Sequence, residues 1–228
     1  MKKILVFTVL ICFMAAAHGQ ETFFPTKEGT VLVYKTFDKK SKETGSIRYT
    51  IEKVSISGND MDISYLVESS DSRGASLYTD KITIQQRDGR LYMDMSNMVN
   101  KAAFQQDGEI PAELEITGNK MEIPVGIQPG QTLPDASVVM AMKMGFVSMK
   151  MAADITNRKV DAIEDVTVPA GTFKCYKLSG DVSATVMGMN VKTSNLDWYA
   201  KGIGLIRSES YDKSNKLQSF IQLTELRK

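Results

Sequence analysis

Histidine and cysteine are nearly absent from this chain of 228 residues, which holds one of the first and two of the second. Both His18 and Cys12 fall within the opening MKKILVFTVLICFMAAAHGQE, where Lys2 and Lys3 precede an apolar run from Ile4 to Ala17. Ala17-His18-Gly19 then supplies the small residues of a cleavage site, so residues 1–19 are expected to form a secretory signal and residues 20–228 a single domain. With that leader gone, no histidine and only Cys175 remain. Intrachain disulfides are then excluded, and so are Ser-His-Asp and Cys-His nucleophiles, H-E-x-x-H zinc sites and histidine proton shuttles. The chain is expected not to be an enzyme and to need no cofactor.

Long hydrophobic runs are lacking as well. The leader's run is shorter than the ~20 residues of a spanning helix, and no later segment reaches that length, so no transmembrane segment is expected after cleavage. Cys12 follows Val9-Leu10-Ile11 with no small residue before it, which argues against lipidation there. Charge of one sign is missing too: 28 basic residues face 27 acidic ones, and losing Lys2 and Lys3 tips the balance to slightly negative. No basic patch invites nucleic acid, and no polybasic stripe invites an anionic bilayer.

What is present is alternation. Val31 to Lys35, Ile47 to Ile56, Met61 to Val67, Leu77 to Gln85 and Leu91 to Met95 repeat with period two. Turn residues punctuate them at Ser57-Gly58-Asn59-Asp60, Asp88-Gly89, Asp107-Gly108, Thr117-Gly118-Asn119, Pro129-Gly130, Pro169-Ala170-Gly171 and Lys213-Ser214-Asn215. Glu113 to Ile116 and Lys120 to Ile123 read as a further short pair. Met61, Ile63, Tyr65 and Val67 oppose Asp62, Ser64 and Glu68, so one face is dry and the other wet. Only the stretch from Ser96 to Phe104 suggests a short helix, with Ser96 as its N-cap. The sequence therefore predicts an all-β fold: a curved antiparallel meander forming a half-closed barrel around a short helical segment. An immunoglobulin-like sandwich is the rival, but it needs only about seven short strands.

Three regions carry a family resemblance. They are Phe24 to Tyr34 (FPTKEGTVLVY), Ile123 to Asp135 (IPVGIQPGQTLPD), and the late pieces Val168 to Cys175 (VPAGTFKC) and Trp198 to Ile206 (WYAKGIGLI). In order and spacing the chain resembles the secreted bacterial proteins grouped as domain of unknown function 3108, of the Bacteroides type. Leu32 stands where that family usually has an aromatic residue. The resemblance implies a curved antiparallel half-barrel similar to the Lol-type lipoprotein carriers, located in the periplasm or at the cell surface of a Gram-negative bacterium. It implies no established activity and no catalytic residues.

Methionine is abundant, with 14 copies, and it concentrates in VVMAMKMGFVSMKMAADI at residues 138–155. Met140, Met142 and Met144 share one face of a strand, Met149 and Met151 share another, and a turn at Gly145 would bring the sets together. Such a lining could be a core filled by adaptable side chains, a deformable groove for an apolar small molecule or lipid, or a soft-ligand Cu(I) site. Without histidine, copper is the least favoured of the three. The candidate ligand-binding residues are Met140, Met142, Met144, Met149, Met151 and Trp198, with no metal site expected. Cys175 reads as a quiet structural thiol, and the carboxylate pairs Asp60/Asp62 and Glu164/Asp165 as coincidental. The expected function is an exported protein that cradles an apolar ligand, with docking of another envelope protein as the alternative.

Overall fold

Hydrophobic alternation is realised as strands throughout the computed structural model, which describes residues 22–95, 114–144, 147–186 and 189–228. In order these are β1 (Val31–Asp38), β2 (Glu43–Ser57), β3 (Asp60–Asp71), β4 (Ser76–Arg87), β5 (Arg90–Asp94), β6 (Leu114–Gly118) and β7 (Lys120–Pro124). There follow β8 (Ala136–Met144), β9 (Val147–Val168), β10 (Gly171–Val186), β11 (Met189–Ala200), β12 (Gly204–Asp212) and β13 (Leu217–Arg227). All belong to one antiparallel sheet in the order β6-β8-β9-β10-β11-β12-β13-β1-β2-β3-β4-β5-β7. The all-β expectation holds, and the sheet curls until it is nearly closed into a barrel. The helix expected at Ser96 to Phe104 lies outside the described residues. Among the described residues no helix is long and apolar enough to cross a membrane.

β3 shows why the sheet curls. Met61, Ile63, Tyr65 and Val67 are buried while Asp62, Ser64 and Leu66 between them are not, so one face alone must leave water. Curvature hides that face inside. Three hairpin turns are built alike: the carboxylates of Asp38, Asp71 and Asp212 each accept two backbone N–H bonds, from Lys40 and Lys42, Arg73 and Ala75, and Ser214 and Lys216. The fourth residue of each turn, Ser41, Gly74 or Asn215, has positive φ, so an Asp-x-x-Ser/Gly/Asn pattern encodes the reversal.

Two turn assignments are corrected, and that at Asp107-Gly108 lies outside the described residues. Pro129-Gly130 sits in the segment between β7 and β8, which do not pair with each other. Thr117-Gly118-Asn119 does not close a hairpin, and β6 and β7 do not pair with each other. β6 pairs with β8, β7 pairs with β5, and they are the two opposite edges of the sheet. A single residue, Asn119, carries the chain from one edge to the other. Its amide donates to Ser137 O at 3.1 Å, its Oδ1 accepts from Ser137 N at 2.6 Å, and its Nδ2 donates to Asp135 O at 3.1 Å. Gly118 is required for this approach, since a Cβ there would stand 2.3 Å from Ser137 O.

The signature stretches all contribute to one buried core. Phe23 and Phe24 enter beneath the sheet, with Gly202 N donating to Thr22 O (2.8 Å) and Ile203 N to Phe23 O (3.1 Å). Phe23 sets its ring edge-on against Tyr176 and Tyr199. Gly204 adopts φ +104°, and a Cβ there would meet the Phe24 ring at 3.2 Å, so the G-I-G motif is the seat of this aromatic plug. The stretch after β7 runs inward through Val125, Ile127 and Leu133, all buried, and bonds back to β9 through Gly130 N to Val160 O at 2.7 Å and Leu133 N to Arg158 O at 2.9 Å.

Candidate functional site

The dry face of the sheet does not fill its own interior. Between β1–β4 and β11–β13 lies a cavity of about 260 Å³ lined by five tyrosines, Tyr34, Tyr49, Tyr65, Tyr78 and Tyr199, with aliphatic side chains including Leu32, Ile84 and Leu205. The rings meet edge-on: Tyr34 with Tyr49 at 5.7 Å between centroids, Tyr49 with Tyr65 at 6.1 Å, and Phe24 with Tyr65 at 6.4 Å. Such contacts favour this arrangement of the rings, because each positive ring edge faces a negative ring face. Tyr34 spends its hydroxyl on the fold, donating to Leu205 O at 2.7 Å. Tyr65 does not: it is 2% exposed, and its buried hydroxyl has no hydrogen-bond partner among the described residues. Burial pushes the Tyr49 phenol up to about 12 and raises Tyr34 and Tyr65 further, so these groups stay neutral and offer hydrogen bonds, not proton transfer.

A second cavity of about 240 Å³ adjoins the first, sharing Met121, Tyr199, Leu205 and Ile221 as walls. Its far side is polar, formed by Arg158, Asn195, Asp197 and Ser208. Arg158 arrives there through a bulge. Ser179 pairs with Lys159 but Asp181 with Thr156, and Asn157 takes φ +53° with its Nδ2 bonded to Asp181 at 2.8 Å. The extra residue reverses the alternation, so Ile155 before it and both Arg158 and Val160 after it turn inward. Gly180 leaves space for the arginine stem, whose Cγ would lie 3.4 Å from a Cβ there.

Arg158 is 4% exposed, and one of its terminal nitrogens donates to Glu122 O at 3.1 Å and Pro134 O at 2.6 Å. It thereby ties β9 to β7 and to the strap before β8, across the edge where the sheet ends meet. Burial lowers the guanidinium pKa, opposed by Tyr199, Asp197, Asp135 and Glu122, and it remains charged. Burial likewise raises the Asp197 carboxyl pKa, opposed by a bond from Ser208 and the charge of Arg158. Asn195 completes the set with a buried Oδ1 that has no hydrogen-bond partner among the described residues.

Of the residues singled out from sequence, Met140, Met151 and Trp198 have described side chains, and none of these three lines either cavity. Met140 is buried and stands directly opposite Met151 across the β8–β9 hairpin, so the two share a face. Met142 pairs in register with Met149 and Met144 with Val147, while the side chains of Met142, Met144 and Met149 lie outside the described residues. Trp198 is buried, its indole N–H donates to Glu164 at 2.7 Å, and Lys177 Nζ sits 5.3 Å from its ring. It lines neither cavity; its neighbour Tyr199 lines both. Sequence reasoning missed Arg158, Asn195, Asp197 and the tyrosine set. Odd spacing of the inward residues Ile155 and Val160 was the available signal, because it demands a reversal of alternation between them.

Catalytic chemistry is not assembled at the other candidates. Cys175 is buried, donates to Phe173 O at 3.3 Å, and its thiol is pushed up to about 12 by burial first and by Asp165 and Glu164 second. Asp60 and Asp62 are both engaged by Arg87. Among the described residues no group of three His, Cys, Asp or Glu side chains could hold a metal ion.

Comparison with solved structures places this architecture. A Bacteroides fragilis protein described as exported and YmcC-like in fold is similar at a TM-score of 0.76 and 22% identity, covering 91% of this chain and 100% of its own. A Parabacteroides distasonis protein described as a lipoprotein is similar at a TM-score of 0.77 and 24% identity, covering 92% of this chain and 100% of its own. At these identities the likeness is one of fold. Among curated proteins none matches the chain. The family model for DUF3108-like proteins matches residues 27–223, which span the plug's seat, the bulge that delivers Arg158 and every cavity-lining residue but Phe24, and the chain belongs to the DUF3108-like family.

Proposed function

We propose that this is an exported, non-enzymatic protein of the Gram-negative cell envelope that holds an apolar small molecule or lipid inside its barrel. The observation that carries the reading is the unfilled, tyrosine-lined interior beside Leu205 and Ile221. Its two compartments together reach the size range of small-molecule sites, ~300–1,000 Å³. The buried Tyr65 hydroxyl, unpartnered among the described residues, supports it, since a fold closed for its own sake would bond or omit that group. The face shared by Met140 and Met151 extends the apolar surface toward the β8–β9 hairpin. Export is supported by the leader-like opening and by the descriptions of the two structural neighbours.

The test is titration with the neutral fluorophore N-phenyl-1-naphthylamine, together with native mass spectrometry of lipids that co-purify. Leu205→Trp, which fills the shared wall of both cavities, should abolish dye binding while leaving the β-sheet circular dichroism unchanged. An empty wild-type protein that also ignores the dye would overturn the reading. A second reading, docking of an envelope protein, is favoured by Met189 and Val191, which are 67% and 53% exposed near the β10–β11 turn. Converting both to lysine should abolish such docking and leave dye binding intact.

A further inference from the structure

Two features of the inner cavity ask for something specific. Among the described residues Asn195 Oδ1 is buried without a donor, and the hydrogen bonds of the Arg158 guanidinium run through one terminal nitrogen, so its other N–H groups can serve a ligand in the cavity that it lines. The single positive charge is surrounded by the carboxylates of Asp197, Asp135 and Glu122. Glu122 is further engaged by Arg90 at 3.1 Å, and of these carboxylates Asp197, on β11 one strand beyond β10, lines the same cavity as Arg158.

We infer that the polar end of the interior selects an amphiphile with an uncharged, hydroxyl-bearing head of the monoacylglycerol kind, its acyl chain lying in the tyrosine-lined compartment. The argument rests on the proposal that the barrel holds an apolar ligand, and goes on to fix the head. A hydroxyl both donates and accepts, so it can give its proton to Asn195 Oδ1 and receive one of the other Arg158 N–H groups. A carboxylate can only accept: it leaves Asn195 unpaired and adds a second negative charge where Asp197 already balances the guanidinium. Taking that charge out of water without a free partner is costly. An ester with no hydroxyl avoids the charge but again leaves Asn195 without a donor, and a buried polar atom left unpaired is what gives such sites their selectivity.

The acyl chain has a complementary place. Wall residues common to both cavities, Met121, Leu205 and Ile221, are apolar, and the compartment beyond them offers ring faces and aliphatic side chains. A chain leaving a head at Arg158 therefore meets no charged group on its way inward from this wall. Tyr199, also shared, is held neutral by burial, with Asp197 raising its pKa further.

The experiment uses three probes with one chain, 1-monolauroylglycerol, methyl laurate and laurate, each competing with N-phenyl-1-naphthylamine on the full-length protein. The glycerol ester should displace the dye at least tenfold more tightly than laurate, with methyl laurate between them. Asp197→Asn, which keeps the shape and removes the counter-charge, should raise laurate affinity severalfold. Asn195→Leu should erase the gap between the glycerol and methyl esters without weakening the methyl ester, and Asn195→Ala serves where the leucine disturbs packing. Laurate binding as tightly as the glycerol ester in the wild-type protein, or an undiminished gap in both Asn195 variants, overturns the assignment of the head. In that case the dye still binds and the apolar-ligand proposal stands. Failure of the dye and all three probes overturns both.

Discussion

Replacing Gly118 by alanine tests the crossing that joins the two edges of the sheet. Gly118 does not have positive φ, so alanine brings no backbone strain of that kind, and the effect is steric. The new Cβ would stand 2.3 Å from Ser137 O, 3.0 Å from Val138 Cα and 3.2 Å from Ser137 C. All three are backbone atoms held in the β6–β8 ladder, so no side chain can rotate away. β6 must withdraw, and that stretches the three bonds that Asn119 makes to Ser137 and Asp135. At a net ~0.5–1.5 kcal/mol each, their loss amounts to roughly 2–4 kcal/mol, or a Tm lower by about 5–15 °C for a chain of this size. Gly126→Ala is the matched control, since its Cβ meets nothing within 4 Å and its φ is not positive. It should lie within about 1 kcal/mol of the parent. Thermal unfolding followed by circular dichroism reads both, and hydrogen exchange at Ser137 locates the damage. A Gly118→Ala protein melting with the Gly126→Ala control would refute the claim that this crossing depends on contact closer than any side chain allows.

Other perturbations follow from individual side chains. Tyr65→Phe removes a buried hydroxyl with no partner among the described residues and should stabilise the ligand-free protein by about 1 kcal/mol in denaturant titration, whereas a loss of stability would reveal a bond for that hydroxyl. Cys175, buried and with its thiol pushed up to about 12, should resist a thiol reagent such as dithionitrobenzoate at neutral pH until the protein unfolds; rapid labelling of the native state would contradict its placement. Backbone N–H bonds hold the carboxyls of Asp38, Asp71 and Asp212 below their ordinary value, so their contribution to stability is present above the unfolded pKa of ~3.9 and is lost as pH falls through the lowered folded values. Asp212→Asn should therefore cost stability at pH 7 and cost less at pH 2.5, and a pH-independent difference between the two proteins would count against the turn mechanism.

Local rules made much of the fold legible. In β3 the alternation of Met61, Ile63, Tyr65 and Val67 with polar residues named the buried face residue by residue. Pro169-Ala170 is indeed a hairpin loop, with Gly171 pairing to Val168 and Phe173 to Val166. The crossing at Asn119 was not legible, because Gly-Asn between two apolar runs has the local chemistry of a hairpin and the choice of partner strand is made by residues far away in sequence. Nor was the polar end of the interior. Arg158 sits in Asn157-Arg158-Lys159, where nothing marks one charge from the next until a bulge decides which of them points inward. The methionines drew attention through abundance, which reports adaptable packing volume, but abundance did not single out Met121, the methionine that walls both cavities.

The crossing at Asn119 has a consequence for how the chain finds this shape. β1 to β5 with β7, and β8 to β13 with β6, are each assembled from strands that meet partners close by in sequence, whereas the pairing of β1 with β13 joins Val31 to Arg227. Two half-shells can therefore form independently and early, and must then be married along two lines, one at β1 and β13, the other where the chain steps from Gly118 to Lys120. That second line brings no long loop to order, since a single residue spans it, so the entropic barrier to completing the ring falls almost wholly on the terminal strands. The slow event in folding should be the meeting of the first and last strands, and the partly open shell that precedes it exposes the greasy interior to solvent.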